Sequence, residues 1–207
     1  MALFDFPVRF SKAVQFIWAN VTPGMPRANL LQDNLQPFTI PLTEFVVWDA
    51  MHTNLPGTSA TDDLALVSNG ITDSPTIQTS DLDSAGATTR YASRLCPVPA
   101  EYVAGETLIV RFHAGMKTNA ADNTATLDLQ AYKSDEEEGV SADLCTTAAI
   151  DINNTVMIDA DFTVTPDDLS PGDLLLLRIA VAVNDAAGGA PVIGIVGSAK
   201  LLCDVKG

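Results

Sequence analysis

Histidine, cysteine, aromatic residues and positive charge are all scarce in this sequence, and each shortage removes a class of function. His52 and His113 are the two histidines, with no HxH, HExxH or histidine–carboxylate spacing around them. A zinc or cupin-type centre therefore lacks its ligands, and no metal or other cofactor is expected. No GxSxG elbow marks a nucleophilic serine. Gly188–Gly189 leads into a strand pattern, not a helix start, so it is not a phosphate loop. Cys96, Cys145 and Cys203 are odd in number and contain no CxxC. They read as small apolar side chains in a reducing cytoplasm, not as a disulfide framework.

Lys and Arg total 11 against 26 Asp and Glu, a formal charge of −15. Such a chain is repelled by a phosphate backbone, so nucleic acid is not an expected partner. No apolar run reaches the ~18 to 20 residues that span a bilayer. No charged segment followed by an apolar one marks a signal peptide, and no membrane partner is expected. No fixed period announces a propeller or solenoid.

What is present is a globular composition, 47% hydrophobic and 18% charged, which excludes a disordered tail or a coiled coil. Charge is unevenly spread: residues 1–60 hold three basic and four acidic residues, whereas residues 61–207 hold 8 and 22. Residues 1–41 carry Pro7, Pro23, Pro26, Pro37 and Pro41, which disfavour long helices and central strands. The same stretch is rich in apolar side chains that need cover. The expectation is an N-terminal arm over 1–41, with a short helix around Lys12–Ala19, attaching through Phe4, Phe6, Phe10, Phe16 and Trp18 to its own domain or to a neighbouring subunit.

Residues 42–207 read as one all-β domain. Strands are expected over Thr43–Ala50, Leu64–Val67, Thr76–Thr79, Arg90–Val98, Glu106–Ala114, Thr124–Tyr132, Thr155–Thr165, Leu174–Val183 and Val192–Val205. Turn signals recur about every ten residues, the spacing of a sandwich or barrel. Alternation puts Leu108, Val110, Phe112 and Ala114 on one face, and Ile109, Arg111 and His113 on the other. Leu127, Leu129 and Ala131 likewise point inward. The near-continuous apolar run Leu174–Val183 reads as a strand buried on both faces. Residues 53–63 and 68–90 read as loops, the latter broken by the strand near Thr76, and Asn184–Gly189 as a turn. Long strands with long crossing loops point to a jelly-roll-like β-sandwich.

Candidate chemistry is thin. Asp135–Glu138 reads as a solvated turn. Asp81, Asp83 and Gly86 imitate the start of a calcium loop, but Ala92 stands where the bidentate carboxylate belongs. Asp159 and Asp161 share a strand face, as a glycosidase pair would, without an aromatic platform in the adjoining sequence. With no acid, base and nucleophile set, no catalytic residue is assigned and no enzyme is expected.

Three stretches, Val98–Gly115 (VPAEYVAGETLIVRFHAG), Thr124–Asp135 (TATLDLQAYKSD) and Phe162–Asp185 (FTVTPDDLSPGDLLLLRIAVAVND), resemble virion structural proteins of tailed bacteriophages and related prophages. The shared features are a proline-led strand, a GE turn and a late PGDLL strand. The resemblance implies a non-enzymatic capsid cement, decoration or head-fibre-like jelly-roll protein. It would be made in the host cytoplasm and carried in the virion, as a homotrimer on the outer face of the major capsid protein. The alternative is a carbohydrate-binding β-sandwich, a receptor-binding or adhesin module, for which Trp48, Tyr91, Tyr102 and Tyr132 are the candidate aromatics.

Overall fold

The computed structural model describes residues 35–68, 74–118, 123–134, 139–166 and 169–205. Among them there is no α-helix; a single 3-10 turn, Leu42–Glu44, is the one helical element. Nine strands form the fold: β1 (Gln36–Ile40), β2 (Ala65–Val67), β3 (Thr76–Gln78), β4 (Leu82–Pro97), β5 (Leu108–Thr118), β6 (Asn123–Ser134), β7 (Ile150–Asp151), β8 (Ile158–Val164) and β9 (Leu174–Cys203).

All ladders between them are antiparallel. Sheet I runs β8–β5–β9, and β9 is met on its far side by β1 and by β3, which continues to β2. Sheet II runs β4–β9–β6–β7. Strand β9 serves both: its first part lies in sheet II and its last part in sheet I. The apolar faces of both sheets enter one core, with Phe112 and Phe162 from sheet I and Leu127, Leu177 and Val181 from sheet II. Their rings pack edge to face at 5.9 Å for Phe112 and Phe162. The result is the expected β-sandwich.

Close approach of the sheets is legible at one glycine. A Cβ on Gly194 of sheet I would sit 2.8 Å from a methyl of Val181 in sheet II. A larger residue there would force the Val181 side chain, or the sheet that carries it, to shift.

Four expectations change. Asn184–Gly189 is an irregularity inside β9, where its register against β4 shifts. Asp185 is fully buried, and its Oδ1 accepts from the Ala187 and Gly188 amides. Gly188 takes a positive φ of 76° with backbone of Ser84 and Ala85 against it. The run that looked like a turn is how β9 bends between sheets. Strand β4 begins at Leu82, inside a stretch whose Ser, Thr and Asp content reads as loop. An edge strand with water on one side needs no apolar residues when a partner supplies the ladder. Thr43–Ala50 forms no regular strand; after the 3-10 turn only Val46 bridges to Ser93 and Asn54. Finally, residues 36–40, counted with the arm on their prolines, form β1 in sheet I, where Pro37 is tolerated because β1 has β9 on one side only.

Candidate binding face

Strand β9 places alternate side chains on opposite faces, and in sheet II that decides the site. Leu175, Leu177, Ile179, Val181 and Val183 are buried, while Leu174, Leu176, Arg178, Ala180 and Ala182 are half-buried on the outer face. The expectation that Leu174–Val183 is covered on both sides is therefore corrected: it is covered on one. The outer residues form rows with their neighbours in β4 and β6. Tyr91, Ala180 and Asp128 form one row, Ser93, Arg178 and Gln130 the next, and Leu95, Leu176 and Tyr132 the third.

The segment after the 3-10 turn crosses the edge of β4 and brings Trp48 onto this face. Val46 exchanges backbone hydrogen bonds with Ser93, donating at 2.9 Å and accepting at 3.0 Å. Trp48 Nε1 donates to Asp62 Oδ2 at 3.0 Å, which fixes the indole. The Trp48 and Tyr91 rings lie 5.4 Å apart with their planes tilted by 48°. The Arg178 guanidinium lies 4.8 Å from the Trp48 ring centre and 5.0 Å from that of Tyr91. That geometry gives a favourable cation–π contact with both rings.

Among the described residues the Arg178 side chain has no hydrogen-bond or ion-pair partner; Nε is its one nitrogen that is both fully buried and unpartnered. Burial pushes the Asp128 carboxyl above its ordinary pKa, against a backbone hydrogen bond at Leu129 and the attraction of Arg178. Below the third row, Met51, Leu95, Ser134, Gly139, Val140 and Leu176 line a shallow groove of about 410 Å³. Three of its lining residues, Met51, Leu95 and Val140, are exposed large hydrophobics, 38%, 44% and 54% accessible. Apart from Asp128 and Arg178, the outward ladder positions of β4, β6 and β9 from the Ala87–Asn184 pair to the Leu95–Leu176 pair carry no charge.

The outer face of sheet I is built differently. Arg111 donates through Nε and Nη2 to both oxygens of Asp161 at 2.6 Å each. His113 Nδ1 lies 2.9 Å from Asp159 Oδ1, and Arg111 is 3.5 Å from Asp159. The His113 hydrogen bond, followed by the Arg111 charge, holds the Asp159 carboxyl below its ordinary pKa. Asp159 and Asp161 share a face, as their spacing predicts, and pair with Arg111 and His113 in a ladder of ion pairs and hydrogen bonds.

Of the four aromatics considered for sugar contact, the structure brings Trp48, Tyr91 and Tyr132 to one face. Tyr102 is fully buried and its hydroxyl donates to the Glu106 carbonyl at 2.7 Å. Phe4, Phe6, Phe10, Phe16 and Trp18, the proposed attachment residues, and the expected helix around Lys12 lie outside the described residues. His52 is exposed in a loop. Among the described residues no three His, Cys, Asp or Glu side chains gather as a metal site. The cysteines are free; burial pushes the Cys96 and Cys203 thiols up to about 11. Sequence reasoning missed Arg178, Asp128 and Gln130. The available signal was that Arg178 is the one charge inside Leu174–Val183.

No family model matches the chain, and no curated protein matches it. Among solved structures it is similar to the CBM22-1 xylan-binding domain from Paenibacillus barcinonensis Xyn10C, at 10% identity and a TM-score of 0.38, covering 70% of this chain and 83% of that one. It is also similar to a carbohydrate-binding module of the β-sandwich superfamily described for promiscuous specificity. That match has 16% identity and a TM-score of 0.37, and covers 77% of this chain and 58% of that one. TM-scores this low carry no argument about what the chain binds.

Proposed function

We propose that this protein is a non-enzymatic carbohydrate-binding β-sandwich that takes its ligand on the outer face of sheet II. The observation that carries this reading is the packing of Trp48 and Tyr91 against Arg178 on a half-buried sheet face that also carries Asp128, Gln130 and Tyr132. A sugar ring offers apolar C–H faces and equatorial hydroxyls. Aromatic surface covers the former, and a few placed polar groups orient the latter. The test is calorimetric titration with a panel of soluble polysaccharides. The reading expects at least one to bind, with Trp48→Ala weakening it more than tenfold. A panel without any binder contradicts it.

A second reading, decoration of a phage head, is favoured by the apolar groove at Met51, Leu95, Val140 and Leu176. Exposed apolar surface of that kind suits a protein partner. On a chain of charge −15, a nearly uncharged face is also where copies can meet with least repulsion. The resemblance to virion proteins supports the same reading, with a homotrimer bound to the major capsid protein through residues 1–41 as its full form. Light scattering during size exclusion tests it: a stable trimer supports the reading, and a monomer at all concentrations contradicts it.

A further inference from the structure

We infer that the sugar recognised on sheet II carries a carboxylate, a uronic acid or a similarly acidic residue, with Arg178 as the group that selects it. This rests on the carbohydrate reading and narrows it to a ligand class.

Each of the other described arginines has a polar partner, as does Lys133. Arg94 is paired with Glu44, Arg111 with Asp161 and Asp159, and Lys133 with Asp173. Arg90 donates to Ser80 at 3.2 Å. Arg178 alone among the described arginines has rings for neighbours and no acceptor on any nitrogen. A guanidinium has five N–H donors in a planar fork, which fits a carboxylate through two parallel hydrogen bonds. Among the described residues no acceptor meets this fork, while two rings lie against the guanidinium, and that leaves its donors available to a ligand.

The position fits a sugar acid in particular. Tyr132, half-buried on the same face, and the parts of the Trp48 and Tyr91 rings not covered by the guanidinium are the aromatic surface available to a pyranose face. Gln130 stands directly across the ladder from Arg178, and Asp128 lies diagonally, so hydroxyl partners flank the charge. The overall negative charge does not forbid an anion here. Beyond the Debye length, about 8 Å at physiological salt, distant acids are largely screened; the near acids are Asp128, diagonal to Arg178 and itself influenced by Asp143, and Asp62, whose carboxylate is engaged by the Trp48 indole.

The test uses the full chain and matched ligands. Polygalacturonate, alginate and hyaluronate are each titrated calorimetrically beside the same polymer after chemical reduction of its carboxyl groups, which removes the charge and keeps the ring. A neutral panel of xylan, cellulose and galactan oligomers is run alongside. At least one acidic polymer is expected to bind. Carboxyl reduction should weaken it by ten- to a hundredfold, the range for losing a hydrogen-bonded ionic contact. Arg178→Gln should do the same, while Arg178→Lys, which keeps charge but not the fork, should retain part of the affinity. Circular dichroism and the near-ultraviolet signal of the variants confirm that the ring pair is intact. Binding that survives carboxyl reduction, or binding confined to the neutral panel, overturns the acidic-sugar inference and leaves the carbohydrate reading standing. Absence of binding to every polymer overturns both.

Discussion

The two outer faces of this sandwich share strand β9, yet among the described residues one has its charges paired and the other carries an unpaired arginine. On sheet I, Arg111, His113, Asp159 and Asp161 satisfy one another across two strands. On sheet II, two rings and an arginine meet with no acceptor for the guanidinium among the described residues, and exposed Met51, Leu95 and Val140 lie beside them. Self-paired charges stabilise a surface modestly and leave it inert. Unpaired groups over apolar surface are retained where something else completes them. On that difference rests the proposal that sheet II is the binding face.

The largest expected effect separates inside from outside within one strand. Leu177→Asp puts an unpaired charge in the core and should cost several kcal/mol, on the order of ~5, enough to abolish the folded baseline in a urea melt. Leu176→Asp, one residue away but on the half-buried face, should stay folded and lose about 1 kcal/mol. Equal losses would show that the β9 register is misassigned.

Next come the two outer faces. Trp48→Ala should reduce glycan affinity more than tenfold and stability by about 1–2 kcal/mol, since it removes both a ring contact and a cation–π contact. Arg111→Ala should cost about 0.5–1 kcal/mol of stability, the range of exposed ion pairs, and leave glycan affinity unchanged. Affinity lost on Arg111→Ala would move the site to sheet I.

The smallest effect is on acid stability. Asp159 is held below its ordinary pKa near 3.8 by His113 first and then by Arg111. A depressed carboxylate contributes stability that is fully present above that ordinary value and is lost as pH falls through the folded value. His113→Ala should therefore lower stability slightly at neutral pH, where that contribution is present, leave it nearly unchanged well below about pH 4, where the contribution is already lost, and so flatten the acid limb between the two. Urea midpoints measured from pH 2 to 7 check it; an unchanged acid limb would show that the pair contributes nothing.

Much of the sandwich was readable from residue pattern. Alternation in β5 and β6 assigned Phe112 and Leu127 to the core because a strand half in water needs polar residues every second position. The same logic failed on Leu174–Val183. Its outward residues, Leu174, Leu176, Ala180 and Ala182, are apolar too, and an apolar run cannot declare which side is open. Strand β4 was partly hidden because its ladder to β9 comes from backbone, which composition does not report. The site was half legible. Trp48, Tyr91 and Tyr132 were named as aromatics, but their meeting depends on a crossing segment and on register across β4, β9 and β6. Arg178 entered only when that register put it between two rings.

The most direct measurement is amide and side-chain chemical-shift mapping of the isotope-labelled protein during titration with the tightest-binding polysaccharide fragment. The account predicts that shifts concentrate on Trp48, Tyr91, Gln130, Tyr132 and Arg178, with Arg111, His113, Asp159 and Asp161 unmoved. Shifts centred on the sheet I ladder, or on neither face, would contradict it.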